Sequence, residues 1–340
     1  VIEKPKKAEF GDYSTNIAML LGPLEKRSPR EVALVIAGKI EMLENVAKCE
    51  VAGPGFINIF LEKAYWCSVL SEVLQRGADF GRIDAGAGKK VQVEFVSANP
   101  TGPLHIGHGR GAAVGAARAN ILSAAGYDVT KEYYWNDRGR QVLTLGESVR
   151  LRMEELAGKE VDFPENYYKG EYVREIAQAY KDMLDRGEGA DPVPTAQDFA
   201  CARMQERIRQ DLKDFGVEFD HETSEKALDE KGLVMDAIKA LKDGGFTYEE
   251  EGALWFRTTD FGDDKDRVLR KADGELTYLA SDVAYHWQKV KQGYSTLVDI
   301  WGADHHGYEA RIRAAIKTFG RDESMLKIVF IQLVALLRGG

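Results

Sequence analysis

A doubly wound α/β fold, a parallel sheet with helices on both faces, is what this 340-residue chain predicts. The apolar run Val91 to Val96 leads into a Gly-rich turn, a helix-patterned stretch from Gly111 to Ala125 and, after the stop at Gly126, a second apolar run from Val129 to Trp135. That order is a strand–helix–strand unit, the crossover that parallel strands require. Near the far end the alternation returns as helix Asp282 to Lys291, strand Thr296 to Ile300, helix Glu309 to Phe319 and strand Lys327 to Ile331. Two such halves share one sheet, whose ligand crevice lies beyond the carboxyl ends of the strands, where the strand order reverses.

Residues 1–80 read as a small α+β unit. Asp12 to Leu21 and Pro29 to Leu43 carry helical patterns, and Cys49 to Leu61 splits into two short strands about Gly53-Pro54-Gly55. Ala64 to Gly77 is a connecting helix, and Asp84 to Gly88 a linker into a second unit over residues 81–340. Within that unit, residues 145–265 are charge-dense and mainly helical, broken by Pro164, by Gly187 to Gly189 and by Pro192 to Pro194, as an insertion between two half-sheets would be. The insertion closes on strands Ala253 to Thr258 and Val268 to Lys271, the latter turned through Asp273-Gly274 onto Leu276 to Leu279, a two-residue hairpin signal. The acidic run Asp260 to Asp266 lacks the Gly and terminal Glu of a calcium loop and reads as a solvated loop. A strand-like apolar run extends from Ile328 to Leu337.

The formal net charge of −9 excludes a protein that coats nucleic acid through a general positive field. It leaves room for local RNA contacts through Lys4, Lys6, Lys7, Lys26, Arg27 and Arg30, each equally readable as an ordinary solvated charge. Cys49, Cys67 and Cys201 are too far apart for a Cys-x-x-Cys metal knuckle or a disulfide framework. No stretch has the apolar length that crosses a bilayer, and the Lys-rich amino end lacks a signal-peptide core, which points to a cytoplasmic address.

Chemistry concentrates at the first strand–helix turn, Gly102-Pro-Leu-His105-Ile-Gly107-His108-Gly109. Glycines there let backbone approach a ligand, and a helix starting near Gly109 aims free N–H groups and its positive dipole end at an anion. His105 and His108 are placed to donate to a phosphoryl group as charge builds on it; histidines satisfied by ordinary turn contacts would give the same string. Glu94 lies among Val91, Val93 and Phe95, so its carboxylate is costly unless paired, either with a cationic ligand or with a protein Lys or Arg. Tyr278 and Asp282, four apart, share one helix face, although Ser281-Asp282 also reads as a helix cap. Trp301 to Gly307 follows a strand and holds Gly302, Asp304, His305 and His306; with no Cys or Glu at suitable spacing, these histidines do not read as a zinc site.

The uninterrupted run Glu94-Phe-Val-Ser97-Ala-Asn99-Pro-Thr-Gly-Pro-Leu-His105-Ile-Gly-His108 resembles the HIGH-type signature of class I aminoacyl-tRNA synthetases, and among them that of the arginyl-tRNA synthetases. Gly11 to Asn16 and Ala52 to Asn58 are similar to the amino-terminal domain appended to those enzymes, which touches the outer corner of tRNA. The resemblance implies a Rossmann-like catalytic domain over 81–340. It also implies an arginine–tRNA ligase that activates L-arginine with ATP and passes it to the 3′-terminal adenosine of arginine tRNA, activation awaiting bound tRNA. His105 and His108 are implied as the catalytic contacts to the ATP phosphates, with Gly107, Gly109, Gly302, Asp304 and His305 about the rest of the nucleotide. Glu94, Ser97, Asn99, Tyr278 and Asp282 are implied around the arginine, the two acids meeting its guanidinium. Mg2+ arrives with ATP, no zinc is involved, and a monomer without membrane partners is expected. Asn136, Gly139 and Gln141 match a further family string. In that family a KMSK-type loop and an anticodon-binding domain follow the last core strand, so a span ending at Gly340 is expected to bind arginine or ATP but to charge tRNA poorly by itself.

Two rivals stay open on the residues alone. Small-molecule adenylyl- and cytidylyltransferases share the HxGH turn and the sheet, without explaining the amino-terminal unit, the insertion or Glu94 with Asp282. A non-catalytic tRNA-binding relative is disfavoured by intact His105, His108, Asn99 and Tyr278. The arginine identity rests on Glu94 and Asp282 converging on one pocket without internal partners.

Overall fold

The computed structural model describes residues 2–188, 193–332 and 334, and only the backbone of Asp304. Residues 189 and 192 of the insertion breaks, and 333 and 335–337 of the apolar tail, lie outside the described residues. The chain divides into two compact units, Val1–Arg82 and Ile83–Gly340.

In the first unit β1 (Ile2–Glu3), β2 (Tyr13–Thr15), α1 (Ile17–Leu24), α2 (Pro29–Ile40), β3 (Val46–Ala52), β4 (Phe56–Leu61) and α3 (Lys63–Arg76) follow in chain order. The strands form an antiparallel sheet, β1-β2-β4-β3, covered by Ala18, Val32, Ala33 and Ala37 packed on Ile57 and Ile59. Ser28 and Glu31 close a capping box around Pro29, which sets the start of α2. The helix expected from Asp12 begins only at Ile17. Tyr13–Thr15 pair with β4 instead, and the Asp12 carboxylate accepts the Leu61 N–H at 2.8 Å, so these polar residues serve a strand.

The second unit runs β5 (Lys90–Glu94), α4 (Ile106–Ala124), β6 (Asp128–Trp135), α5 (Arg140–Leu156), α6 (Glu171–Asp185), α7 (Ala196–Asp214), β7 (His221–Ser224), α8 (Glu225–Glu230), α9 (Leu233–Asp243), β8 (Thr247–Glu250), β9 (Ala253–Phe256), β10 (Arg267–Arg270), α10 (Tyr278–Lys291), β11 (Thr296–Gly302), α11 (Glu309–Thr318) and β12 (Leu326–Ile331). Five strands make a parallel sheet in the order β12-β11-β5-β6-β7. The chain moves outward one way through β6 and β7 and the other way through β11 and β12. The switch point is therefore the β5–β11 boundary, where Glu94 pairs in register with Asp299.

Helix α4 packs hard against this sheet. A Cβ on Gly115 would lie 2.1 Å from the Phe95 ring, so only glycine permits the approach. Val91, Val93, Phe95, Tyr133 and Trp135 form the core beneath it, each such burial stabilising by about 1.5–3 kcal/mol. Helices α5, α6 and α7 close a separate core of Leu145, Val149, Ile176 and Met204, while β8–β10 form a three-stranded antiparallel sheet packed with α9 and α10.

Three expectations are corrected here. His221–Ser224, inside the charged insertion, joins the parallel sheet as β7, held by polar bonds: Trp135 Nε1 and Arg209 both donate to Glu222. The hairpin across Asp273-Gly274 reduces to one bridge, Arg270 with Leu276, because α10 starts at Tyr278. With Thr277 as its N-cap residue, Ser281 and Asp282 lie inside α10 and are not its cap. The acidic run is a largely exposed loop, as expected, in which Asp263 clamps Arg267 at 2.8 Å and Asp266 accepts the Thr259 N–H at 3.0 Å. Among the described residues no helix is long and apolar enough to cross a membrane.

Candidate active site

Strand β5 ends in a strained turn, with Val96 at φ 69° and Ser97 at φ 39°. A β-branched residue at positive φ persists only where its surroundings over-determine it. Here they do. The buried Tyr133 hydroxyl accepts the Ala98 N–H and donates to the Ala98 carbonyl, both at 3.0 Å. Ser97 Oγ donates to Glu94 Oε1 at 2.9 Å while accepting the Tyr134 N–H at 3.1 Å.

This turn forms one wall of a cavity of about 500 Å³ at the carboxyl ends of β5, β6 and β11, closed on another side by α10. Glu94, Ser97, Asn99, Tyr278, Asp282, Gly302 and His305 all line it, as do Asn136 and Gln141. Asn99 Nδ2 donates to Gln141 Oε1 at 2.7 Å, which joins the β5 turn to α5. Gly139, at φ 89°, leaves room for the Tyr278 hydroxyl, which a Cβ there would approach to 3.1 Å. His105, Gly107, His108 and Gly109 are not among the lining residues; they lie at the start of α4, where Arg110 donates to the Gln332 carbonyl just past β12.

The two acids line one cavity, and Glu94 already has a protein cation as its partner. Lys289 Nζ, 1% exposed, lies 2.6 Å from Glu94 Oε2, and the Tyr285 hydroxyl donates to the same oxygen at 2.9 Å. The cause is the strand register. Glu94 and Asp299 stand directly opposite each other, a repulsive placement that needs a shared cation, and Lys289 also reaches Asp299 Oδ1 at 2.9 Å. Lys289 and His286, whose Nε2 sits 3.0 Å from Asp299 Oδ2, hold Asp299 well below the usual carboxylate range despite its burial. Ser97 is likewise partly spent on Glu94. His286 ties Asp299 to the Asp282 carbonyl, 2.8 Å from its Nδ1.

Asp282 is different. Burial pushes its carboxyl up to about 7, Glu225 and Glu94 adding to the shift while His286 and Lys289 oppose it. Glu225, the first residue of α8, was not anticipated from the sequence, where it is one of many charges in the insertion. It is 4% exposed, lines the same cavity and is raised by burial, and its Oε2 has no hydrogen-bond partner. Among the described residues no Lys or Arg makes an ion pair with Asp282 or Glu225, and Arg138, on the cavity wall, is engaged with Asp229 at 3.0 Å. Arg138 acts on Glu225 through charge alone, lowering its pKa against the effect of burial.

At the other end of the site, α4 begins at Ile106, earlier than expected, because a histidine caps it. His105 Nδ1 accepts the Gly107 N–H at 3.1 Å, and His108 Nδ1 accepts the His105 N–H at 3.2 Å. The rings stack with centroids 3.7 Å apart. Burial, with His105 alongside, lowers His108 to about 4, so it is neutral and carries its proton on Nε2, facing away from the cap. Gly107 makes room for the His105 ring, 2.9 Å from where its Cβ would be. Gly109 has open space in front of it. The Asp304 side chain lies outside the described residues. Among the described residues no three His, Cys, Asp or Glu side chains are grouped to hold a metal ion.

Residues 69–325 match the family model for the catalytic domain of class I (R) tRNA synthetases, and residues 1–61 that for the arginyl tRNA synthetase N-terminal domain. The chain belongs to the arginyl-tRNA synthetase family. It is 48% identical to the arginine–tRNA ligase of Citrifermentans bemidjiense, and 47% identical to that of Legionella pneumophila, over the whole of this chain. It spans 62% of the length of the first of these synthetases and 64% of the second. A Campylobacter jejuni crystal structure assigned as an arginyl-tRNA synthetase superposes with a TM-score of 0.75 at 37% identity, covering 82% of this chain and 62% of that one. The Thermus thermophilus arginyl-tRNA synthetase shares the fold, with a TM-score of 0.65 at 20% identity over 97% of this chain and 62% of its own.

Proposed function

We propose that the cavity binds L-arginine and that the protein activates it with ATP to arginyl-adenylate, releasing pyrophosphate, before transfer to the 3′-terminal adenosine of arginine tRNA in the cytoplasm. One observation carries the amino-acid identity: Asp282 and Glu225 line one cavity as acids with which no described Lys or Arg makes an ion pair, while Glu94 and Asp299 are already served by Lys289. A guanidinium, planar and permanently charged, is suited to two such acids. Glu94 then supports the pocket, and Tyr278, one turn before Asp282 on α10, closes it.

Activation asks for alignment and neutralisation of charge on the α-phosphate more than for covalent chemistry by the protein. His105 and His108 present Nε2–H donors at the amino end of α4, with Gly109 open to a close phosphate approach and Gly302 and His305 toward the nucleoside. Asp304 belongs to this nucleotide set on family grounds alone. Mg2+ comes with ATP, held mostly by its phosphates, and no zinc takes part. Activation waits for tRNA.

Calorimetric titration with L-arginine and L-lysine tests the identity. L-arginine is expected to bind and L-lysine to bind far more weakly, with the preference lost in Asp282→Asn. Equal affinity for the two amino acids, or unchanged arginine binding in that variant, overturns the reading.

A further inference from the structure

Tyr134, next to last in β6, lines the cavity with its side chain 5% exposed. Its ring packs on Tyr285 with centroids 4.3 Å apart, and its backbone N–H is held by Ser97 Oγ, so both ring and main chain are fixed. Yet its hydroxyl has no hydrogen-bond partner. The neighbouring Tyr285 spends its own hydroxyl on Glu94. The leading charged groups that act on Tyr134 are carboxylates: Glu225, Asp282, Glu94 and Asp137. A buried phenol left unpaired carries its full desolvation cost, which a fold tolerates where a ligand completes the bond.

We infer that the Tyr134 hydroxyl is an arginine-binding contact, its oxygen accepting one N–H of the guanidinium held by Asp282 and Glu225. This rests on the cavity being an arginine pocket. A guanidinium offers five N–H donors in one plane and no acceptor, so two carboxylates leave at least one donor to place. A neutral oxygen takes it without adding a further negative charge to a pocket already rich in acids. A compact ammonium has only three donors and needs no such partner, so the hydroxyl discriminates as well as binds.

Tyr134→Phe deletes the one atom in question. Without ligand, the variant is expected to melt at the same temperature as the parent protein or higher, since an unsatisfied polar group is gone. Its dissociation constant for L-arginine, by calorimetry, is expected to rise roughly ten-fold, the usual scale for a hydrogen bond to a charged group. Tyr285→Phe is the contrast and should melt lower. If Tyr134→Phe binds L-arginine as tightly as the parent, this inference falls and the arginine pocket stands. If the parent itself binds no L-arginine, both fall. If Tyr134→Phe melts lower or does not fold, the hydroxyl has a structural partner and the inference is again overturned.

Discussion

Glu94 and Asp299 stand opposite each other on adjacent parallel strands at the switch point, and the buried Lys289 ammonium bridges them at 2.6 and 2.9 Å. Burial alone would lower the Lys289 pKa; the two carboxylates hold it well above its ordinary value. Removing one member of such a cluster strands the others, at a cost of about 3–5 kcal/mol. Lys289→Met is therefore expected to lose stability on that scale in urea unfolding at neutral pH, and Lys289→Arg much less. A loss below about 1 kcal/mol would mean the two acids do not depend on this cation.

Asp282 gives the proposed arginine pocket a pH dependence with a defined sign. Its folded-state pKa, raised to about 7 by burial, exceeds the unfolded value, so the ligand-free protein keeps the proton and is favoured at low pH. That advantage fades as pH rises through 7. Arginine needs the carboxylate ionised, so affinity should climb by about ten-fold per pH unit below 7 and level off above it. At pH 6 binding should release a proton, visible as a heat that changes with the ionisation enthalpy of the buffer. Asp282→Asn should weaken binding and flatten the slope; a slope that survives would assign the titration to another group.

The legible parts of this fold are those whose pattern serves packing. Val91 to Glu94 and Val129 to Trp135 announce themselves as strands because both faces of a parallel sheet are buried. Strand β7 was hidden because His221-Glu222-Thr223-Ser224 has no apolar residue and is held by side-chain hydrogen bonds. The start of α4 was misplaced because its capping acceptors are imidazoles, outside the usual Ser, Thr, Asp and Asn. Glu94 was singled out as an acid within an apolar strand, and Asp299, flanked by Val298 and Ile300, carries the same signature. That shared signature marks the Glu94–Asp299 pair and its need for a cation between them. Glu225 left no such trace, since only the fold distinguishes it from the solvated acids around it.

His108 leads to a division between binding and turnover. Held neutral by a value near 4, it can donate from Nε2 across the whole physiological range. At saturating arginine, pyrophosphate exchange in the presence of arginine tRNA should show no acid limb from His108 above pH 5, while kcat/KM for arginine falls below pH 7 through Asp282. His108→Ala should lower kcat by roughly 10²–10³-fold, the usual loss for one preorganised donor to a developing oxyanion. Arginine affinity should be unchanged. A matching rise in arginine Kd would place His108 in the amino-acid pocket instead.

Two glycines of α4 make opposite predictions from the same substitution. At Gly115 a methyl group would sit 2.1 Å from the Phe95 ring, so Gly115→Ala must displace helix from strand, and a loss of at least about 1–3 kcal/mol is expected. Gly109 lies in the first turn of the same helix with nothing within 4 Å of the new methyl, and there alanine should stabilise by about 0.5–1 kcal/mol through helix propensity. If ATP phosphates approach the backbone at this turn, Gly109→Ala should at the same time raise the KM for ATP, because the methyl occupies the space the nucleotide needs. Thermal melts and ATP titrations on the two variants separate packing from binding: a more stable Gly109→Ala with unaltered ATP affinity would move the phosphates away from Gly109.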